Sequence, residues 1–108
     1  MPILSEQAIE GYKQYTERTL AYAEYKVGET WNKVLFNRKE RLADGKIAVY
    51  FPIIPQASNP VTVSAIRLYD TGGKVWAEKT ENIEIENVQE GVLYRFTFYL
   101  REYEESGV

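Results

Sequence analysis

The chain contains no cysteine and no histidine. Without cysteine it can form no disulfide bond, no thiol nucleophile and no thiolate metal site. Without histidine it lacks the side chain that most often serves as a general base and as a metal ligand. We therefore expect a protein that is not an enzyme, binds no cofactor and holds no tightly bound transition metal.

Long apolar runs and an excess of positive charge are also missing. No run approaches the roughly 20 apolar residues of a membrane span, and residues 1–5 have neither the cationic start nor the apolar middle of a signal peptide. Thirteen Lys and Arg stand against 16 Asp and Glu, for a net charge of −3. The sequence thus predicts no nucleic-acid partner, no membrane partner and synthesis in a cytoplasm.

What is present is enough for one folded domain. The 108 residues are 44% hydrophobic and include 2 Trp, 9 Tyr and 4 Phe, which is more aromatic content than a disordered tail carries. Near the N-terminus, Ser5 can cap a helix, and apolar positions recur at spacings of three and four through Ile9, Tyr12 and Leu20. This pattern predicts a helix over Glu6–Thr19, in which Gly11 costs about 1 kcal/mol relative to Ala.

From Leu20 onward the apolar pattern has a period of two and is divided by turn residues. Gly28-Glu29 separates strands over 22–27 and 30–36, and 37–42 is expected to extend or bend the second strand. Asp44-Gly45 predicts a type I′ hairpin turn, and Gly72-Gly73 lies in a second turn over 70–73. Further strands are predicted over five segments, with a loop over 52–60 and a bulge near Ser64-Ala65; the segments are 47–51, 61–69, 74–78, 82–86 and 92–100.

These elements predict a mainly β fold, an N-terminal helix followed by an antiparallel β-sandwich or small barrel of about seven strands. The single domain divides into a helix over 1–19, a β domain over 20–101 and a frayed tail over 102–108. Parallel α/β folds are excluded because no helices connect the strands. The last strand alternates without a break, so we expect Tyr94, Phe96 and Phe98 in the central core.

Two motifs could carry chemistry. Asp70-Thr71-Gly72 resembles the short signature of retroviral-type aspartic proteases. However, Gly73 and a strand follow it where that family has Ala or Ser, so we interpret it as a hairpin turn. Trp31, Trp76 and the tyrosines can be core residues, subunit-interface residues or a sugar-binding face, and the sequence leaves these three interpretations open.

Charge is unevenly distributed along the chain. Residues 33–46 carry five bases and two acids, for +3, and residues 78–90 carry five acids and one base, for −4. Such segments can pair head to tail between subunits, or they can be the solvated outer faces of two hairpins.

One stretch resembles a known class of proteins. Residues 61–79 (VTVSAIRLYDTGGKVWAEK), together with 81–83 (ENI) and 88–96 (VQEGVLYRF), resemble small proteins encoded in the tail modules of bacteriophages and prophages. More distantly, they are similar to the N-terminal domain of phage tail-collar fibre proteins. The segments 23–28 (AEYKVG) and 44–50 (DGKIAVY) fit the same pattern, so the resemblance covers roughly residues 20–101.

The resemblance implies a structural or adaptor component of a phage tail, made in the bacterial host cytoplasm and carried in the virion tail. We expect it to act by self-association or by docking to another tail protein. The contact is expected on the helix, through Ile9, Tyr12 and Leu20, because the chain has more apolar surface than it easily buries. The alternative is a small carbohydrate-binding module that recognises a host surface glycan through Trp31, Trp76 and the tyrosines.

Overall fold

The computed structural model describes residues 4–54, 60–86 and 91–100. The predicted mainly β architecture is confirmed: within these residues one helix, α1 (Glu6–Thr19), is followed by seven strands. The expected frayed tail lies outside the described residues. The strands are β1 (Leu20–Val27), β2 (Thr30–Leu35), β3 (Arg38–Arg41), β4 (Ile47–Ile53), β5 (Val61–Asp70), β6 (Val75–Ile85) and β7 (Val92–Phe98).

The strands form two sheets that enclose one hydrophobic core. The four-stranded sheet has the order β2-β1-β5-β6, the three-stranded sheet has the order β3-β4-β7, and each pairing is antiparallel. Ile66 and Leu68 of the first sheet pack in one cluster with Val49 and Phe51 of the second. This arrangement is sandwich-like, with alternate side chains of each sheet pointing inward.

The centre of the core differs from the prediction. Phe96 is buried at 7% exposure, but Tyr94 and Phe98 are only half-buried beside it. The reason is strand order: β7 is an edge strand, whereas β4 lies between two neighbours and is buried continuously from Ile47 to Phe51. Tyr94 of β7 still links the sheets through a side-chain hydrogen bond with Glu81 of β6. Burial, and then the charge and hydrogen bond of Glu81, raise the pKa of Tyr94.

The turns predicted at Asp44-Gly45 and over 70–73 are present, but the prediction of type I′ geometry at Asp44-Gly45 is wrong. Gly45 has a φ of +90°, whereas no residue other than glycine has a positive φ in the described residues. The Gly45 amide donates to the Leu42 carbonyl at 3.0 Å, which is a type I turn followed by a left-handed glycine. Gly73, with a φ of +80°, donates in the same way to Asp70, whose side chain also accepts from the Gly72 amide.

Three strand assignments differ from the prediction by more than one or two residues at a strand end, and the bulge is confirmed. Residues 38–41 do not extend β2; they form β3 in the other sheet. The predicted strands over 74–78 and 82–86 are one continuous strand, β6. Pro52 lies inside β4 although proline has no amide to donate to a neighbouring strand. It is tolerated there because β3 pairs with β4 only as far as Tyr50, so β3 offers Pro52 no partner that would need such an amide. The β1–β5 and β5–β6 registers shift at Ser64.

Helix α1 has the predicted bounds, and Ser5 caps it by accepting a hydrogen bond from the Ala8 amide at 3.1 Å. The expectation that Leu20 forms an intermolecular contact is wrong. Leu20 is the first residue of β1 and is buried in the core at 2% exposure. Ile9 is half-buried and Tyr12 is 58% exposed. The described helix is too short and too polar to span a membrane.

Two cations of β3 hold α1 in place. Arg41 reaches Glu10 at 2.5 Å and Glu17 at 2.8 Å. Lys39 donates to the main-chain carbonyl of Glu17 and, at 2.8 Å, to that of Leu20. These contacts place positive charge at the C-terminal end of the helix, where the helix dipole favours it.

Candidate interaction surface

The face of the four-stranded sheet that points away from the core is the candidate site, and we call it the outer face. In β1, Ala23 and Tyr25 are buried, so the alternating residues Tyr22, Glu24 and Lys26 point outward. The strand registers then place an outward residue of each neighbouring strand beside each of these three. The outer face therefore consists of three rows, each running across all four strands.

The first row is apolar. It runs from β2 to β6 through Leu35, Tyr22, Tyr69 and Val75, and we call it the apolar row. Leu35 is 68% exposed and Val75 is 49% exposed. Between them the Tyr22 and Tyr69 rings stack with their centroids 4.8 Å apart and their planes 7° from parallel. Two exposed aliphatic side chains thus flank a flat aromatic pair.

The second row is charged and alternates in sign. It runs through Lys33, Glu24, Arg67 and Glu78, and we call it the charged row. Nε of Arg67 lies 3.3 Å from a carboxylate oxygen of Glu78. A hydrogen bond to Glu24 raises the pKa of Tyr69, so this hydroxyl links the charged row to the apolar row.

The third row contains Trp31, one of the two tryptophans named above as possible contact residues. It runs through Trp31, Lys26, Ala65 and Thr80. The Arg67 guanidinium lies 4.0 Å from the Trp31 ring centroid, and the Lys26 ammonium lies 5.8 Å from it. The Trp31 ring is therefore half-buried under cations of its own sheet.

Trp76 has a different environment. It packs against the core, with its ring centroid 5.0 Å from that of Phe98 on the other sheet. The structure therefore separates the two tryptophans: Trp76 is a core residue, and Trp31 lies on the outer face.

The basic segment predicted from the sequence is largely used inside the molecule. Lys39 and Arg41 contact α1, and Arg38 pairs with Glu40 at 3.4 Å. These cations are thus engaged within the chain, and the head-to-tail pairing of the two charged segments stays a prediction.

Within the described residues, the outer face presents apolar side chains and charges of alternating sign. Within residues 4–54, 60–86 and 91–100, no group of three or more Asp and Glu could hold a metal ion. Over the same residues, no buried side-chain polar atom lacks a hydrogen-bond partner. The two carboxylates of the charged row, Glu24 and Glu78, each lie beside a cation of a neighbouring strand.

Sequence reasoning did not find the three rows. Each row joins residues from four strands, so it becomes visible only when the register is known. The alternation of Tyr22, Glu24 and Lys26 with buried residues was the available signal.

Comparison with protein-family models, with curated proteins and with solved structures finds no match to this chain.

Proposed function

We propose that the chain is a non-enzymatic assembly subunit that acts by protein–protein contact through its outer face. The observation that carries this proposal is the apolar row, in which Leu35 and Val75 are exposed on either side of two stacked tyrosines. Single exposed apolar residues are common on soluble proteins, but a contiguous apolar stripe bordered by charges is typical of an interaction surface.

The chemistry of the chain supports a contact role over a catalytic one. The sequence has no histidine and no cysteine, and the acids nearest the apolar row interact with neighbouring groups. Glu78 pairs with Arg67, and Glu24 accepts a hydrogen bond from Tyr69.

The setting we propose is the tail of a bacteriophage or prophage, as a fibre or baseplate accessory. This rests on the resemblance of residues 61–79 to phage tail-module proteins. That stretch contains β5, the turn over 70–73 and the start of β6, so it includes half of the apolar row. The chain would then be made in the host cytoplasm and carried in the virion tail.

A glycan-binding module is the second candidate, and it depends on Trp31. This ring lies on the outer face, separated from the stacked tyrosines by the charged row, and the Arg67 guanidinium already lies over it at 4.0 Å. Trp76 packs on Phe98 in the core. Quenching of Trp31 fluorescence by host glycans in a Trp76→Phe variant would favour this function over assembly.

The test of the assembly role is incorporation into particles. Tail particles purified from the organism that encodes the chain should contain it in a fixed ratio to the other tail proteins. Leu35→Asp should reduce incorporation by at least about tenfold, because a charge replaces the most exposed apolar side chain of the row. Leu93→Asp is the matched control, since Leu93 is 59% exposed on β7 of the other sheet. Complete particles that lack the chain would contradict the proposal.

A further inference from the structure

The charged row has a pattern that is complementary to itself. In the order β2, β1, β5, β6 its residues are Lys33, Glu24, Arg67 and Glu78, so the signs run plus, minus, plus, minus. Reversing this order gives minus, plus, minus, plus. A second, identical sheet laid face to face in the reversed order therefore presents an opposite charge to every charge of the first.

We propose that the outer face binds the outer face of a second copy of this chain. This inference rests on the proposed function and names its partner. The dimer is symmetric, and its two-fold axis runs parallel to the strands, between β1 and β5. Rotation about this axis exchanges β2 with β6 and β1 with β5 while it keeps the three rows at the same height, which is the self-complementary arrangement of a two-fold interface.

In this arrangement the charged row sets the pairing. Lys33 faces Glu78 of the second copy, and Glu24 faces Arg67 of the second copy. Each contact occurs twice by symmetry, so all eight charges of the two rows are opposed by the other sign. Complementary charges of this kind fix the register and orientation of an interface.

The apolar row supplies the apolar side chains that the dimer interface buries. Leu35 faces Val75 of the second copy, so the two exposed aliphatic side chains cover each other. Tyr22 faces Tyr69 of the second copy, which brings the two stacked aromatic pairs together. Face-to-face sheets pack about 10 Å apart with their strands nearly aligned, and that distance allows aromatic side chains from both faces to meet.

The charge pattern also rejects the other symmetric face-to-face arrangement. An axis across the strands, through the charged row, would place Lys33 opposite Lys33 of the second copy and Glu24 opposite its own counterpart. All four positions would then oppose like charges, which is unfavourable at an interface. The alternating row thus selects one orientation of the second copy.

The experiment is a charge-swap complementation measured by sedimentation velocity in moderate salt. The wild-type chain should sediment as a dimer at micromolar concentration. In a dimer of Glu24→Lys, the introduced lysine of each copy faces Arg67 of the other copy, so two pairs of cations are opposed. In a dimer of Arg67→Glu, the introduced glutamate of each copy faces Glu24 of the other copy, so two pairs of carboxylates are opposed. Each variant should raise the dimer dissociation constant by at least about tenfold. An equimolar mixture of the two variants pairs the introduced cation with the introduced carboxylate and should restore the dimer.

The controls separate a local contact effect from a folding defect. Glu40→Lys and Arg95→Glu make the same charge changes on strands of the other sheet and should leave the dimer intact. If Glu24→Lys does not fold, as judged by circular dichroism, the outer pair Lys33→Glu and Glu78→Lys gives the same test, because these positions also face each other.

Each contrary result has a distinct meaning. A monomeric wild type overturns the dimer, while incorporation into particles through another tail protein would still support the proposed function. Dimers that survive both single variants overturn the outer face as the contact, and a mixture that stays monomeric overturns the orientation. Absence from particles would contradict the proposed function even if the purified chain forms this dimer.

Discussion

At the scale of single residues, two glycines determine how the hairpins close. Gly45 and Gly73 occupy the same position in turns of the same kind, with φ of +90° and +80°. The residue after each one accepts a hydrogen bond from the residue that begins the turn, as in Leu42 to Lys46 at 2.8 Å. A side chain at a left-handed position approaches its own main chain, so we expect strain there whatever the surrounding space.

Gly45→Val should lower the free energy of unfolding by about 1–3 kcal/mol, because a β-branched residue is strained at this φ. Gly45→Asn should be milder, since Asn tolerates the left-handed region. Gly11→Ala is the opposite control. Gly11 lies in α1, where the added Cβ meets nothing within 4 Å beyond the adjacent residues and the helix's own backbone, and the change should stabilise the protein by up to about 1 kcal/mol. Equal urea midpoints for the wild type and the Val variant would contradict the turn geometry.

Phe96→Ala should cost roughly 3–5 kcal/mol, most of the stability of a small domain. Phe96 is the most buried residue of β7, whereas Leu93 on the same strand is largely exposed. Leu93→Ala should therefore change the melting temperature little. A Phe96→Ala protein that melts at the wild-type temperature would show that this side of β7 is not buried.

At the scale of elements, α1 depends on β3. Only Thr16 of the helix is buried, so packing alone holds it weakly, and the contacts from Lys39 and Arg41 supply fixed anchor points. Exposed ion pairs usually contribute little, but a guanidinium that binds two carboxylates of one helix is a network with defined geometry. We infer that β3 positions the helix as much as it extends the sheet.

Arg41→Gln should loosen α1 without disturbing the sandwich. Amide hydrogen exchange within 6–19 should become several-fold faster, while exchange in β4 and β5 should stay at the wild-type rate. Arg38→Gln is the control, because Arg38 lies on the same strand but pairs with Glu40 and does not contact α1 through any described ion pair. Unchanged exchange in the helix of the Arg41 variant would show that the anchor is not needed.

Acid should release the same anchor. The hydrogen bond from Arg41 holds the pKa of Glu10 below its usual value of 4.5. Because the folded-state pKa of Glu10 is depressed, the stabilisation that its ionised carboxylate gives is fully present above the usual pKa. This stabilisation is lost as the pH falls through the lower, folded-state pKa. Exchange in α1 should accelerate below about pH 4.5, and Glu10→Gln should remove that part of the pH dependence. Identical pH profiles for both proteins would contradict it.

The elements show what the sequence could predict. The bounds of α1 and the hairpin at Gly28-Glu29 follow from local signals, namely a cap, a period and a turn residue. The change of sheet between β2 and β3 has no such signal, because Phe36-Asn37 contains neither Gly nor Pro. The single strand β6 was divided in the prediction because its middle, 79–82, is polar, and an edge strand tolerates polar residues.

At the scale of the whole molecule, the chain is more extended than a compact domain of its length. Its radius of gyration is 16.4 Å and its extents are 53 × 30 × 28 Å, whereas a compact domain of this length has a radius of about 13 Å. An elongated small protein has little core for its surface, so contact with another protein surface is a natural source of added stability.

The candidate site was visible in the sequence only in part. Trp31 was recognised as a candidate contact residue from its type, and the structure places it on the outer face. Leu35 was not recognised, and Tyr22 and Lys33 were included only as members of larger groups, the tyrosines and the basic segment, because their importance comes from neighbours on other strands. A surface assembled from four strands depends on long-range pairing, which a single sequence encodes only through register.

The central claim is that the outer face is a contact surface for a second copy, and cysteine cross-linking tests it most directly. The chain has no cysteine, so introduced thiols react without background. Leu35→Cys mixed with Val75→Cys should be cross-linked between copies by a short bismaleimide, which spans thiols on sheets packed about 10 Å apart, because positions 35 and 75 face each other, whereas Leu93→Cys mixed with either should give little cross-linked product. Equal cross-linking of all three mixtures, or none for the 35 and 75 pair, would contradict the account.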